Sequence, residues 1–490
     1  MTVSTTAAEQ SGAGPAGAPR AYLGKLPLTL KAGWGVGAFG SLGMLWMVNV
    51  FVMFFLVNHV GMSPAVAGTI LFITRIYDLV SDPLIGHLSD KTRSRWGRRR
   101  PWMFAGALVC GISVVLTFNV PAFSSDTVLA AYELIVLLAY FTGFTLFYVP
   151  FMAMPAEMTD DYDERTSIMS FRVAYSSVGG IVLAAGMPAM IAQLGSDREA
   201  YELTSIVGAV LITLSMLMTV VFTRNARELP TVTRERHSVR EYLSSLFRNR
   251  PFFTLAALKF FVFLSAGING AAGMFFMAHI IQRGEMGMAF LTFGSQVASL
   301  LTIPLWTRLS VGRDKRWFWM AAMLVNAAVN ASWAFASPTE SDLIFGARAI
   351  IGGAMSSLGL LMGFSMLPDT IEYDRLTTRH DRAGMYTGLL GFIEKNAFAF
   401  GPLIIGFFFS AAGVVQGESQ SPEAVAAIVA AKAWIPAAIL LISAGLLFTY
   451  QLDGKDLEAL RAQAQPDGGD ADAVVEDVPA SGAMPGGIPR

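Results

Sequence analysis

The chain has 490 residues, 54% of them hydrophobic and only 14% charged, against about 25% charged for an ordinary soluble domain, which excludes a water-soluble globular protein. Thirty-five basic residues against 36 acidic ones leave a formal charge of -1, so no excess charge points to nucleic acid or an acidic partner. The single cysteine, Cys110, excludes an internal disulfide and a cysteine-based zinc site.

The first twenty residues are small and polar and lack the basic stretch and apolar core of a secretory signal. No cleaved leader is expected, and 1–30 is expected to be a disordered tail. Apolar stretches long enough to cross a hydrocarbon core of about 30 Å follow. There are twelve: 33–58, 64–89, 101–121, 126–153, 166–194, 201–223, 251–281, 287–308, 316–336, 341–367, 383–413 and 426–450. In lipid every backbone polar group needs an internal partner, so spans of this length are expected to be helices.

Basic residues near span ends are retained on the cytoplasmic side. Lys91, Arg93, Arg95, Arg98, Arg99 and Arg100 follow the second span, and Arg224, Arg227, Arg234, Arg236, Arg240, Arg248 and Arg250 follow the sixth. Arg308, Arg313, Lys315 and Arg316 follow the eighth, and Arg375, Arg379 and Arg382 the tenth; the odd-numbered breaks hold only Arg198, Arg283 and Lys432. Both termini and the even-numbered loops are therefore expected in the cytoplasm of a multi-pass protein of the cell (inner or plasma) membrane.

The two halves resemble each other. Arg100-Pro-Trp-Met-Phe-Ala-Gly-Ala-Leu opens the third span and Arg316-Trp-Phe-Trp-Met-Ala-Ala-Met-Leu the ninth, an offset of 216. Pro155 begins an acidic stretch through Glu157, Asp160, Asp161, Asp163 and Glu164; Pro368 begins one through Asp369, Glu372, Asp374 and Asp381, an offset of 213. The expected organisation is an N-terminal six-helix bundle over 31–223, a cytoplasmic linker over 224–250, a C-terminal six-helix bundle over 251–450 and a disordered tail over 451–490. That is an all-α membrane protein of major-facilitator architecture.

Within the second span lie Asp78 and Asp82. Each would cost about 2.5–3.5 kcal/mol facing lipid, so both are expected to face the bundle interior or a wet cavity. Four residues apart, they share a helix face with α-carbons about 6 Å apart along the axis. Paired carboxylates suit a hard cation such as sodium, or a shared proton. They could instead pair with Arg75 or Lys395 to lock helices together.

The stretch from Arg75 to Trp102, with its paired aspartates before Pro83, the loop Asp90-Lys-Thr-Arg-Ser-Arg-Trp-Gly-Arg and the following Pro-Trp, resembles the signature of the glycoside–pentoside–hexuronide:cation symporters. Gly37-Ala-Phe-Gly40, Pro368-Asp-Thr-Ile-Glu-Tyr and Lys395 extend the likeness over 31–450. The resemblance implies that Asp78 and Asp82 bind the coupling cation, that Ser81 and Thr145 lie beside it, and that Lys395 lies close by. It places Arg172 near the substrate path and implies a gate built from Asp90, Arg95 and Arg98, to which the acidic stretches could offer partners from the other half.

Sugar-carrying members of that family place acids where this sequence has Leu42 and Tyr148. An apolar residue cannot accept a hydroxyl, so recognition is expected to draw on aromatic residues, Trp46 and Tyr148 foremost, among Phe51, Phe144, Phe147 and Phe151. The expected function is cation-coupled (sodium or proton) import of a sugar, glycoside or hexuronide by a monomer that uses no cofactor; a carrier of an amphipathic lipid-like solute is the alternative. An enzyme is not expected. His59, His87, His237, His279 and His380 are scattered, and neither a His-Glu-x-x-His motif nor a phosphate-binding Gly-x-x-x-x-Gly-Lys-Ser/Thr motif is present.

Overall fold

A computed structural model describes residues 25–159, 161–226, 249–378, 382–417, 419–450, 452, 457 and 460. Most of the expected linker and of both expected tails lies outside the described residues, as do Asp160 and Asp381.

Among the described residues twelve helices are long and apolar enough to cross a membrane: α1 (Leu28–Asn58), α2 (Pro64–Lys91), α3 (Arg100–Phe118), α4 (Asp126–Met158), α5 (Glu164–Leu194), α6 (Arg198–Phe222), α7 (Arg250–His279), α8 (Gly284–Ser310), α9 (Lys315–Phe335), α10 (Asp342–Thr378), α11 (Ala383–Ala411) and α12 (Pro422–Leu447). No strand occurs among the described residues. The helix starts are written in the sequence. Ser63 accepts from the Val66 N–H with Pro64 behind it, Asp197 accepts from Ala200 and Asp314 from Arg316, each satisfying a donor that the first turn leaves unpaired. Gly195, at φ +115, ends α5 in the left-handed region that a side chain would resist.

The described residues form two compact units. The first combines 25–226 with 273–296 and 402–425; the second combines 249–272, 297–401 and the residues from 426 onward. In the first, α3 packs on α4 and α6, α1 on α5 and α6, and α2 on α4. Trp34 stacks on Phe151 at 4.5 Å and donates to the Phe151 carbonyl at 3.1 Å, fixing α1 to α4. The C-terminal segment of α7 and the start of α8 belong to this unit: Asn58 meets His279 at 3.4 Å, and Tyr201 donates to Glu285 at 2.7 Å. In the second unit α9 packs on α10 and α12 around Leu255, Trp319, Met323, Leu358, Met362 and Leu447. Close van der Waals contact, with polar residues as cross-links, holds such helices together, because lipid is as apolar as their side chains.

The repeat seen in the sequence has a structural counterpart. Arg100 donates to the Ala226 carbonyl beyond α6 at 2.8 Å, and Arg316 donates to the Tyr450 carbonyl beyond α12 at 3.1 Å. Each basic residue satisfies a backbone carbonyl just past a helix end.

Three expectations change. The acidic stretches after Pro155 and Pro368 are not loops at their starts: both prolines, with Glu157, Asp369, Glu372 and Asp374, lie inside α4 and α10. The tenth helix accordingly runs to Thr378 instead of stopping at 367, because hydropathy falls at the charged residues while the helical backbone continues, with Thr370 and Asp374 buried. Lys432 is not a loop residue; it is 4% exposed inside α12, on a π-helical turn over Ala430–Trp434, and donates to Asn269 Oδ1 at 2.7 Å.

Candidate cation and substrate site

α2 carries Asp78 and Asp82 one turn apart. Asp78 is 3% exposed and Asp82 half-buried. Pro83 follows directly and has no N–H to give the carbonyl of Leu79, which frees an oxygen beside the two carboxylates. Across from α2, the Thr145 hydroxyl of α4 donates to Asp82 Oδ1 at 3.0 Å and lies 3.4 Å from Ser81 Oγ. Tyr77 and Thr142, one turn away, make a parallel contact at 3.0 Å. The structure thus brings together Asp78, Ser81, Asp82 and Thr145, which the resemblance expects beside a cation. Their oxygens are the hard ligands that sodium or a proton favours.

The base beside them is Arg75. Its guanidinium lies 4.0 Å from Asp78 Oδ2, donates to Asn49 Oδ1 at 2.8 Å and sits over the Phe141 ring at 4.6 Å. Asn49 lies on a π-helical turn, Val48–Val52, that widens α1 there. Sequence reasoning passed over Asn49, because a π turn has no composition signal and an asparagine inside an apolar span looks solitary.

Arg172 donates to the Tyr148 hydroxyl at 3.1 Å, and Tyr148 stacks on Phe144 at 4.9 Å. Trp46 is half-buried on α1. Lys395 belongs to the second unit, exposed on α11.

At the basic loop, Asp90 pairs with Arg99, and Arg99 reaches Glu157 Oε1 at 2.6 Å and Ser89 Oγ at 2.7 Å. Arg98 joins the same carboxylate at 3.1 Å, while Arg95 is exposed in the loop. Two of the three expected gate residues therefore enter one cluster, centred on the unexpected pair Arg99 and Glu157. The second unit repeats it more loosely, Lys315 reaching Asp369 at 2.7 Å. The repeat offsets contained this signal, since Arg99 and Lys315 precede matched motifs and Glu157 and Asp369 follow matched prolines.

Residues 33–454 match the family model described as MFS/sugar transport protein. The chain belongs to this family. Its members are transporters, not enzymes, and the likeness to glycoside–pentoside–hexuronide:cation symporters extends to individual relatives. The inner membrane symporter YicJ of Escherichia coli (strain K12) is 28% identical over 86% of this chain and 91% of its own. An isoprimeverose transporter of Lactiplantibacillus pentosus is 24% identical over 92% and 96%, and a glucuronide carrier protein homolog of Escherichia coli (strain K12) is 22% identical over 87% and 93%. Among solved structures, the nucleoside transporter NupG superposes with a TM-score of 0.56 at 14% identity, covering 88% of this chain and 98% of its own, and a bacterial homolog of the human lysosomal transporter Spinster with 0.57 at 13%, covering 90% and 98%. The fold is that of a multi-pass major-facilitator transporter.

Proposed function

We propose that this protein is a secondary active symporter that couples a sodium ion or proton to the uptake of a sugar or glycoside, with both termini in the cytoplasm. The observation that carries this reading is the oxygen cluster of Asp78, Ser81, Asp82 and Thr145, buried at the middle of two membrane helices. A carboxylate pair in a span is costly unless it faces a cavity and takes up a cation. Arg75, held by Asn49 and Phe141, sits at the edge of the cluster as a fixed positive charge, so cation binding at Asp78 and Asp82 is balanced against a charge that the protein itself supplies. Relatives named as symporters, an isoprimeverose transporter and a glucuronide carrier homolog support the substrate class.

A coupled carrier works when cation and substrate favour the same state of the protein, so that a cation gradient drives accumulation. The test is uptake into membrane vesicles of a panel of glycosides, hexuronides and a lysolipid, under separately imposed sodium and proton gradients. Accumulation of a glycoside that collapses when the driving gradient is dissipated supports the reading. Equilibration at the same rate with and without either gradient would overturn it.

A further inference from the structure

Outside the cation cluster, two carboxylates lie deep in the apolar stretches, Glu133 and Glu394. Glu133 is fully enclosed, at 0% exposure. Glu394 is different. Its Oε1 lies 2.9 Å from Lys259 Nζ, and the two side chains are unequally covered, 14% exposed for the glutamate and 2% for the lysine. Lys259 is backed by aromatic rings, with its Nζ 3.9 Å from the centre of Phe364 and 5.5 Å from that of Phe263. The Lys259 contact engages one carboxylate oxygen, and one such contact leaves most of the acceptor positions of the carboxylate unused.

The scaffold under this pair is rigid. α7 and α11 touch backbone to backbone at Gly267 and Gly401, where an added Cβ on Gly401 would come within 2.3 Å of the Gly267 carbonyl carbon. The crossing sets Lys259 and Glu394 at a fixed height on the two helices. On α11, Gly384, Gly388, Gly391 and Lys395 follow a spacing of four, three and four, which is one helix face, and space is open beyond each of the three glycines. Lysines in mid-span almost always face the bundle interior or a water-filled cavity, which argues that this open face is the solvated one. Glu394 stands at its shoulder, between the open face and the buried face of Tyr386, Leu390 and Ala397.

We propose that Glu394, held by Lys259, is a hydroxyl-binding residue of the substrate site, accepting hydrogen bonds from a neutral glycoside and disfavouring a uronate by like-charge repulsion. This rests on the reading of the protein as a sugar or glycoside carrier and adds where, and with what charge preference, the solute is recognised. Leu42 and Tyr148 supply no carboxylate, which leaves Glu394, among the described residues, as the partly open carboxylate in mid-span outside the cation cluster.

The test uses purified full-length protein, with methyl β-D-glucoside, methyl β-D-xyloside and methyl β-D-glucuronide as probes and thermal stabilisation as the binding readout. In the wild type a neutral glycoside is expected to stabilise at lower concentration than the glucuronide. In the Lys259→Met/Glu394→Gln double variant, which leaves no buried charge behind, its half-saturating concentration is expected to rise about 10- to 100-fold. Glu394→Asp, which keeps the charge and the pair, is expected to rise by a smaller factor and serves if the double variant does not fold. Unchanged half-saturation in these variants, tighter binding of the glucuronide than of both neutral probes, or no stabilisation of the wild type by any probe would overturn the proposal. Uptake by the same proteins separates the two readings. Gradient-driven accumulation with unchanged half-saturation in the variants overturns this site and leaves coupling standing; Glu394-dependent binding without gradient-driven accumulation upholds the site and overturns coupling.

Discussion

Thr145 Oγ1 on α4 donates to Asp82 Oδ1 on α2 at 3.0 Å, and this contact joins the two helices at the carboxylate pair. A donated hydrogen bond holds the carboxylate in one rotamer, with its other oxygen positions left for a cation. Thr145→Val keeps the shape and removes the donor. The expected result is an apparent affinity for the coupling cation about 10-fold weaker, with little change in maximal rate; an unchanged cation dependence of uptake would show that the contact has no part in cation binding.

Arg99 and Glu157 are 6% and 4% exposed, whereas their counterparts Lys315 and Asp369 are 34% and 28% exposed. Removing one partner of a buried pair strands the other charge and costs about 3–5 kcal/mol, whereas exposed pairs contribute about 0–1 kcal/mol. Glu157→Gln should therefore lower the melting temperature of the purified protein clearly more than Asp369→Asn does. Equal shifts would mean that burial does not distinguish the two clusters.

His59, in the turn between α1 and α2, is pushed below the usual imidazole range by burial, against Glu285 and Asp197, which act to raise it, while Arg198 adds to the lowering. The unfolded chain then takes up a proton before the folded one does. This contribution is complete above the unfolded value of about 6.5 and is lost as pH falls through the lower folded value. Thermal melts from about pH 8 to pH 5 should show the wild type losing more stability than His59→Gln on the acid side. Parallel curves for the two proteins would remove His59 as the cause.

With both termini in the cytoplasm, as proposed, the basic loops after α2, α6, α8 and α10 lie on the cytoplasmic side. An activity reporter fused after Asp126 or after Ser341 should therefore read out on the outer face, and a cytoplasmic signal at either point would break the topology.

Hydropathy made the twelve helices legible, because apolar runs of this length have one solution in lipid. It placed most of the ends within a few residues and failed at α10, where the helix outlasts its apolar stretch and continues through Asp369, Glu372 and the buried Asp374. Asp78 and Asp82 stood out because charges inside a span are costly, and Thr145 and Ser81 were reached only through resemblance, since a lone hydroxyl in a helix usually bonds its own backbone. Asn49 and the pair of Lys259 with Glu394 were not reached, and Glu157, expected to offer a partner from one half to the other, pairs with Arg98 and Arg99 of its own unit. Each depends on which residue of another helix stands opposite, and helix-to-helix register is set by packing at points such as Gly267 and Gly401, which no periodicity reveals.

The most direct test of coupling compares the wild type with Asp78→Asn and Asp82→Asn in vesicles, measuring accumulation of the best glycoside of the panel under an inward sodium or proton gradient. The account predicts that both variants lose gradient-driven accumulation while remaining in the membrane at normal levels. Full accumulation in both variants would contradict it.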